Sequence, residues 1–297
     1  MKTPEELIEK LCDLLTVEEL DKDLYRGPRL PGGVGRVFGG QVIAQALVAA
    51  NHSVDDDLVA HSLHAYFLRG GKEGPPIDYR IERDFDGRSF ANRRVIASQE
   101  GTPILNLTAS FQTAEEGLEH QAAIMPDVAP PEELKPDMEL REKFADALPD
   151  LSETQRRLML RPRPIEMRTI DRLHWMNSEP KEPSAHSWFK AAAPLPDDPA
   201  MHRAIIAYAS DYTLLGTAAL PHGLSWMRGE LNGASLDHTI WFHRHARADD
   251  WLLYCTESPW SGSGRGFNRG HIFTRDGTLI ASVAQEGMIR RRRPKPE

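Results

Sequence analysis

The sequence predicts an α+β fold in which one unit, an antiparallel sheet wrapped around a long apolar helix, is written twice in tandem. Three observations lead there. Phe38 to Ala50 carries small and aliphatic residues on nearly every side, as a helix does when other structure surrounds it. Four strand-like runs rich in Val, Ile, Phe, Tyr and Thr follow it, at roughly 59–69, 77–85, 90–99 and 103–112. The pattern then recurs about 175 residues later, which is how a duplicated domain reads.

The chain opens on a separate helix. Thr3 and Glu6 stand in capping-box register, Pro4 occupies the first helical position, and Leu7, Leu11, Leu14 and Leu15 share a face. A glycine-rich turn, Pro31-Gly32-Gly33, leads to the buried helix. Asp86-Gly87 and Glu100-Gly101 supply the turns between later strands.

The second copy is legible motif by motif. His61-Ser62-Leu63-His64-Ala65-Tyr66-Phe67-Leu68-Arg69 matches Leu236-Asp237-His238-Thr239-Ile240-Trp241-Phe242-His243-Arg244. Arg88-Ser89-Phe90-Ala91-Asn92-Arg93 answers Arg265-Gly266-Phe267-Asn268-Arg269, and Gly101-Thr102 answers Gly277-Thr278. The second apolar helix then runs from Pro199 to about Tyr212. Between the copies, Pro126, Pro130, Pro131, Pro136 and Pro149 among many acidic residues read as a connection, with short helix at 138–146 and 152–160. The expected division is 1–115, a connecting segment 116–162, and 163–297.

Composition narrows the function. With 297 residues and 40% apolar content the chain can bury a core, and a net charge of -8 argues against general nucleic-acid binding. Arg290 to Arg293 is the exception, read either as a solvated terminus or as a local contact for an anionic ligand. Cys12 and Cys255 stand far apart, which suggests a reducing compartment. Charges interrupt the N-terminal apolar runs, no stretch reaches a membrane span, and the end is Pro-Lys-Pro-Glu rather than Ser-Lys-Leu. The expected location is therefore cytoplasmic, where the Asn51 and Asn106 glycosylation sequons have no meaning.

Several catalytic signatures fail. Ser261-Gly262-Ser263-Gly264 lacks the spacing of a nucleophile elbow, and no dinucleotide or phosphate-loop glycine pattern occurs. His61 and His64 would face opposite ways on a strand, and His243 with His245 lacks a third ligand, so no metal and no cofactor is expected. His64 and His238 read as hydrogen-bonded structural residues, and Tyr66, Phe67, Trp241 and Phe242 as core.

A helix and sheet occurring twice, with Phe38-Gly39-Gly40-Gln41-Val42 at the first helix, resembles the type II acyl-CoA thioesterases, which have a double hot-dog fold. The segments 37–47, 61–71, 89–112, 208–214, 234–243 and 265–290 carry the resemblance over nearly the whole chain. It implies hydrolysis of fatty acyl-CoA, of medium to long chain, to free acid and coenzyme A, in a homo-oligomer (dimer or tetramer). It also implies a water-holding trio: Asp211 in Tyr208-Ala209-Ser210-Asp211, Ser235 before Asp237-His238-Thr239-Ile240-Trp241-Phe242-His243, and Gln285 in Gln285-Glu286-Gly287.

The residue types suit the chemistry. An ionised Asp can take a proton from water, and a hydroxyl and an amide can fix that water's direction of attack. The carbonyl oxygen needs donors as charge develops on it, expected near a helix N-terminus or turn. From the residues alone, Asp211 could equally be a helix-terminal residue, Ser235 an ordinary strand serine no better than Ser225 or Thr239, and Gln285 an outward-facing strand position. Two rival functions stand beside the thioesterase. One is a hot-dog acyl-thioester hydratase or dehydratase using Asp237 and His238, although adjacent strand residues face opposite ways. The other is a non-catalytic acyl-CoA binding protein.

Overall fold

The computed structural model describes residues 2–28, 35–148, 153–170, 179–224, 226 and 229–292; the Pro31-Gly32-Gly33 turn, Ser225 and Arg293 lie outside them. The first helix, α1 (Pro4–Leu15), is capped as its sequence requires: Thr3 Oγ1 accepts from Glu6 N while Glu6 returns a carboxylate to Thr3 N. It buries Ile8, Leu11 and Leu15.

Two short strands missed in the sequence, β1 (Glu18–Asp21) and β2 (Leu24–Gly27), lead toward α2 (Gly39–Asn51). Most of α2 is buried, including Gln41 and Gln45. Gln45 is accommodated because both ends of its amide are used: Nε2 donates to Leu14 O at 2.5 Å and Oε1 accepts from Tyr79 Oη at 2.6 Å. The meander expected after α2 is β3 (Leu58–Phe67), β4 (Ile77–Asp86), β5 (Phe90–Gln99) and β6 (Thr102–Thr113).

The connection contains α3 (Asp137–Asp146) and α4 (Glu153–Met159), close to the expected ranges. Its first stretch, 114–130, has no regular structure, yet it lies on the second half of the sheet. Trp188 Nε1 donates to Ala129 O at 2.9 Å, and Gln121 bonds Gly277 O and Leu279 N. Met125, Val128 and Leu134 pack there on Trp188, Leu253 and Phe273, forming a small apolar layer under the connection.

The second half runs β7 (Ile165–Thr169), β8 (Ser184–Ala191), α5 (Pro199–Ser210), α6 (Leu214–Thr217), β9 (Leu231–Ser235), β10 (Asp237–Phe242), β11 (Leu252–Gly262), β12 (Arg265–Thr274) and β13 (Leu279–Arg291). The strands form one antiparallel sheet in the order β1-β2-β4-β5-β6-β3-β10-β13-β12-β11-β8-β7, with β9 added on β13. About the β3·β10 junction the order 4-5-6-3 meets its mirror 10-13-12-11, so the duplicated motif sits on both sides of a pseudo-twofold axis. The junction pairs Tyr66 with Asp237 and His64 with Thr239, joining the two copies through their best-matched segments. The two apolar helices, α2 and α5, pack against each other, and their buried residues join those of the sheet in one apolar core.

The packing corrects three expectations. Tyr66 is 61% and Trp241 38% exposed, so neither is core; they lie on the outer face of the sheet, where His64 packs edge-on to Trp241. His64 is accordingly a surface ring with no side-chain hydrogen bond among the described residues, not the structural residue expected. In the arginine tail, Arg290 and Arg291 complete β13 with exposed side chains, and Arg292 N donates to Glu230 O.

Candidate active site

The site is built where α5 ends, beside the start of α2. Asp198 caps α5, its Oδ1 accepting from Ala200 N, and the helix stops at Ser210 with Asp211 as its C-terminal cap. Asp211 is thus both the helix-terminal residue that the sequence allowed and a group delivered to a cavity. Its side chain is only 5% exposed.

Ser235 and Gln285 arrive from the sheet. β9 pairs with β13 so that Ser235 stands opposite Gly287, and Leu236 N donates to Glu286 O. Gln285 is fully buried; it shares the inner face of β13 with Ala281 and Val283 and is not the outward-facing residue considered from sequence. The period of two held that signal, since Ser282 falls in the opposite phase.

The three expected residues are brought together. Gln285 Nε2 lies 2.8 Å from Asp211 Oδ1 and 3.1 Å from Ser235 Oγ. The Ser235 hydroxyl and the Gly40 backbone N–H also donate to the Asp211 carboxylate. Burial is the larger influence and lifts the Asp211 carboxyl from its ordinary value of 3.8 to about 6, against these donors.

Gly39 and Gly40, which carry the resemblance at the first helix but were given no part in the site, lie against it. A Cβ at Gly39 would lie 2.7 Å from Asp211 Oδ2 and 3.0 Å from Phe67 Cζ. One at Gly40 would lie 2.5 Å from the Tyr208 carbonyl oxygen. The paired glycines therefore let the α2 N-terminus touch both the catalytic candidate and the backbone of α5.

Asp211 and Ser235 line a cavity of about 530 Å3. Phe38, Val42, Phe67, Leu105, Leu215 and Trp226 give it apolar walls, while Arg36 and Arg69 stand exposed at its mouth. Neither arginine has a carboxylate partner among the described residues; Arg69 Nη1 donates to Pro103 O.

His238 is fully buried behind Gln285 and does not line the cavity. Its Nδ1 lies 3.1 Å from Gln285 Nε2 and its Nε2 2.8 Å from Ser210 Oγ. Burial holds the ring at about 3, so its 3.9 Å approach to Asp211 is not an ion pair at neutral pH. Asp237 faces away as strand alternation requires, and its Oδ1 takes the Glu286 N–H at 2.6 Å. The adjacent Asp237-His238 pair is therefore split between two tasks and offers no joint acid-base device. His61 and His243 are likewise occupied, each at 2.9 Å from a serine hydroxyl, Ser110 and Ser282.

Comparison with known proteins covers both halves of the chain. Residues 164–288 match the family model described as acyl-CoA thioesterase, and residues 28–112 match acyl-CoA thioesterase N-terminal domain. Acyl-coenzyme A thioesterase 8 of Homo sapiens is 41% identical over 289 residues, covering 93% of this chain and 88% of that protein. Acyl-CoA thioesterase 2 of Haemophilus influenzae is 38% identical, covering 96% and 98%. A crystal structure of an acyl-CoA thioesterase II from Mycobacterium marinum, 40% identical, superposes with a TM-score of 0.77 over 95% of this chain and 98% of that one. With the duplicated sheet, the apolar cavity and these matches along almost its entire length, the chain belongs to the acyl-CoA thioesterase II family and is a double hot-dog thioester hydrolase.

Proposed function

We propose that this enzyme hydrolyses medium- to long-chain fatty acyl-CoA by direct attack of a water held among Asp211, Ser235 and Gln285. The observation that carries the reading is Asp211 itself: a buried carboxylate on the cavity wall, bonded to an amide and a hydroxyl, and poised near pH 6 to accept a proton. As the water adds, Asp211 takes its proton, Ser235 and Gln285 keep its lone pair on the carbonyl carbon, and the thiolate of coenzyme A leaves. The Gly39 N–H, at the positive end of α2 and on the cavity wall, polarises the thioester oxygen. Unlike Gly40, it has no partner among the described residues.

Arg36 and Arg69 at the mouth suit the anionic phosphates of coenzyme A, and the apolar walls suit the acyl chain. The division into residues 1–115, 116–162 and 163–297 is supported by the mirrored strand order and by one apolar helix, α2 or α5, in each copy. The exposed Tyr66 and Trp241 support assembly of the chain into a dimer or tetramer, and two free cysteines suit the cytoplasm. Thiol release across a panel of acyl-CoA chain lengths tests the proposal: turnover peaking at medium or long acyl chains agrees with it. Inertness toward every acyl-CoA, with tight binding retained, would leave a non-catalytic binder.

A further inference from the structure

The amide of Gln285 has a problem of orientation. Its Nε2 carries two hydrogens and faces three acceptors: Asp211 Oδ1 at 2.8 Å, Ser235 Oγ at 3.1 Å and His238 Nδ1 at 3.1 Å. Its Oε1 is buried and has no hydrogen-bond partner among the described residues. Among the described residues nothing on the oxygen side selects one sense of the amide over its flipped form, so the choice is made on the nitrogen side.

His238 makes that choice together with the Asp211 carboxylate, and Ser210 decides the state of His238. The one hydroxyl hydrogen of Ser210 goes to Ala207 O at 2.9 Å. Its 2.8 Å contact with His238 Nε2 therefore takes its hydrogen from the ring. A neutral imidazole has a single N–H, so Nδ1 is left as a bare lone pair aimed at the Gln285 amide. With Nε2 of Gln285 in place, that lone pair meets a donor. With the amide flipped, Oε1 would face the His238 lone pair and the Asp211 carboxylate together, three acceptors with no hydrogen among them.

From this chain we infer that His238, backed by Ser210, is a positioning residue for thioester hydrolysis: it locks the Gln285 amide so that one hydrogen is spent on the ring and the other points toward Asp211 and Ser235. The inference rests on the proposed role of Gln285 in holding the attacking water. His238 touches no substrate and donates no proton to it. The ring stays neutral at working pH because it is buried, and the titratable group facing it is Asp211 at 3.9 Å. Tyr254 reaches the same corner through its hydroxyl, which donates to Ser210 O at 3.2 Å.

The test compares His238→Leu, His238→Asn, Ser210→Ala and Gln285→Ala, each checked for folding by thermal melt, with acyl-CoA as substrate. His238→Leu removes the acceptor and should lower kcat roughly 10- to 100-fold with KM little changed, as misplacement of a nucleophile does. The acid limb of its kcat/KM profile should also move to higher pH, because Asp211 loses the steady donation of the amide. Asn places a carbonyl oxygen near the old Nδ1 position and should recover part of both. Ser210→Ala frees the ring to change tautomer and should move both readouts in the same direction by less, which serves if His238→Leu fails to fold. In a Gln285→Ala background, His238→Leu should cost nothing more. A folded His238→Leu enzyme with wild-type kcat and acid limb overturns the inference, as does an undiminished loss in the Gln285→Ala background. Normal turnover by Gln285→Ala would instead remove the water-holding reading and this inference with it.

Discussion

Replacing Gly39 with alanine isolates the contact between α2 and the carboxylate of Asp211. The added methyl carbon would lie 2.7 Å from Asp211 Oδ2 and 3.0 to 3.1 Å from two Phe67 ring atoms, where a comfortable carbon contact needs about 3.5 Å or more. With both neighbours this close, the carboxylate and the Phe67 ring must give way by several tenths of an ångström between them. The carboxylate retreats from a position fixed by Gln285, Ser235 and the Gly40 N–H. Overpacking of this kind costs about 1–3 kcal/mol, whereas misdirecting an attacking water can cost about 100-fold in rate. Gly39→Ala is therefore expected to melt only slightly early yet lose about two orders of magnitude in kcat. Gly40→Ala should behave in reverse proportion, because its Cβ meets the backbone oxygen of Tyr208 at 2.5 Å and the whole of α5 must move. Thiol release and thermal melts on both variants read the contrast. Full activity in a folded Gly39→Ala enzyme, or a loss no larger than the loss of folded protein, refutes the reasoning.

Other outcomes follow from the same site. Because burial raises the Asp211 carboxyl to about 6, kcat/KM should rise with pH through about 6 and then level off. The sign for stability is opposite: a group with a raised folded value favours the fold while protonated and opposes it as pH climbs past about 6. Asp211→Asn should thus melt higher than wild type at pH 8 and not at pH 4, the gain bounded at roughly 3 kcal/mol by the distance from 3.8 to about 6. Replacing Arg36 and Arg69 together with glutamine should raise KM about tenfold for acyl-CoA while leaving acyl-pantetheine, which lacks the nucleotide phosphates, nearly unaffected. Chelators should leave turnover unchanged; activity lost to a chelator and restored by zinc would contradict the water-holding trio.

The duplication was legible because a buried helix and a half-buried strand each leave a periodic trace, and the His61 and Leu236 segments repeat that trace closely. Asp211, Ser235 and Gln285 were named through resemblance; the residues alone left each with an ordinary reading. Other features depend on three-dimensional neighbours that no local pattern reports. Tyr66 and Trp241 alternate correctly along their strands, but period alone does not tell which face is covered, and both faces carry large side chains. His238 reaches Gln285 only because β10 pairs with β13. Gly39 and Gly40 stood in the motif that carries the resemblance, but only the fold brings the Asp211 carboxylate and the α5 carbonyl against them.

The most direct test of the account is the turnover of Asp211→Asn on acyl-CoA at a pH where the wild-type carboxylate is fully ionised. The substitution keeps the size of the side chain and most of its hydrogen bonds while deleting the group that takes the proton. The account predicts a folded protein with kcat lower by about two to four orders of magnitude, the range for loss of a general base, and with substrate still bound. Turnover near the wild-type rate by that folded variant would contradict it.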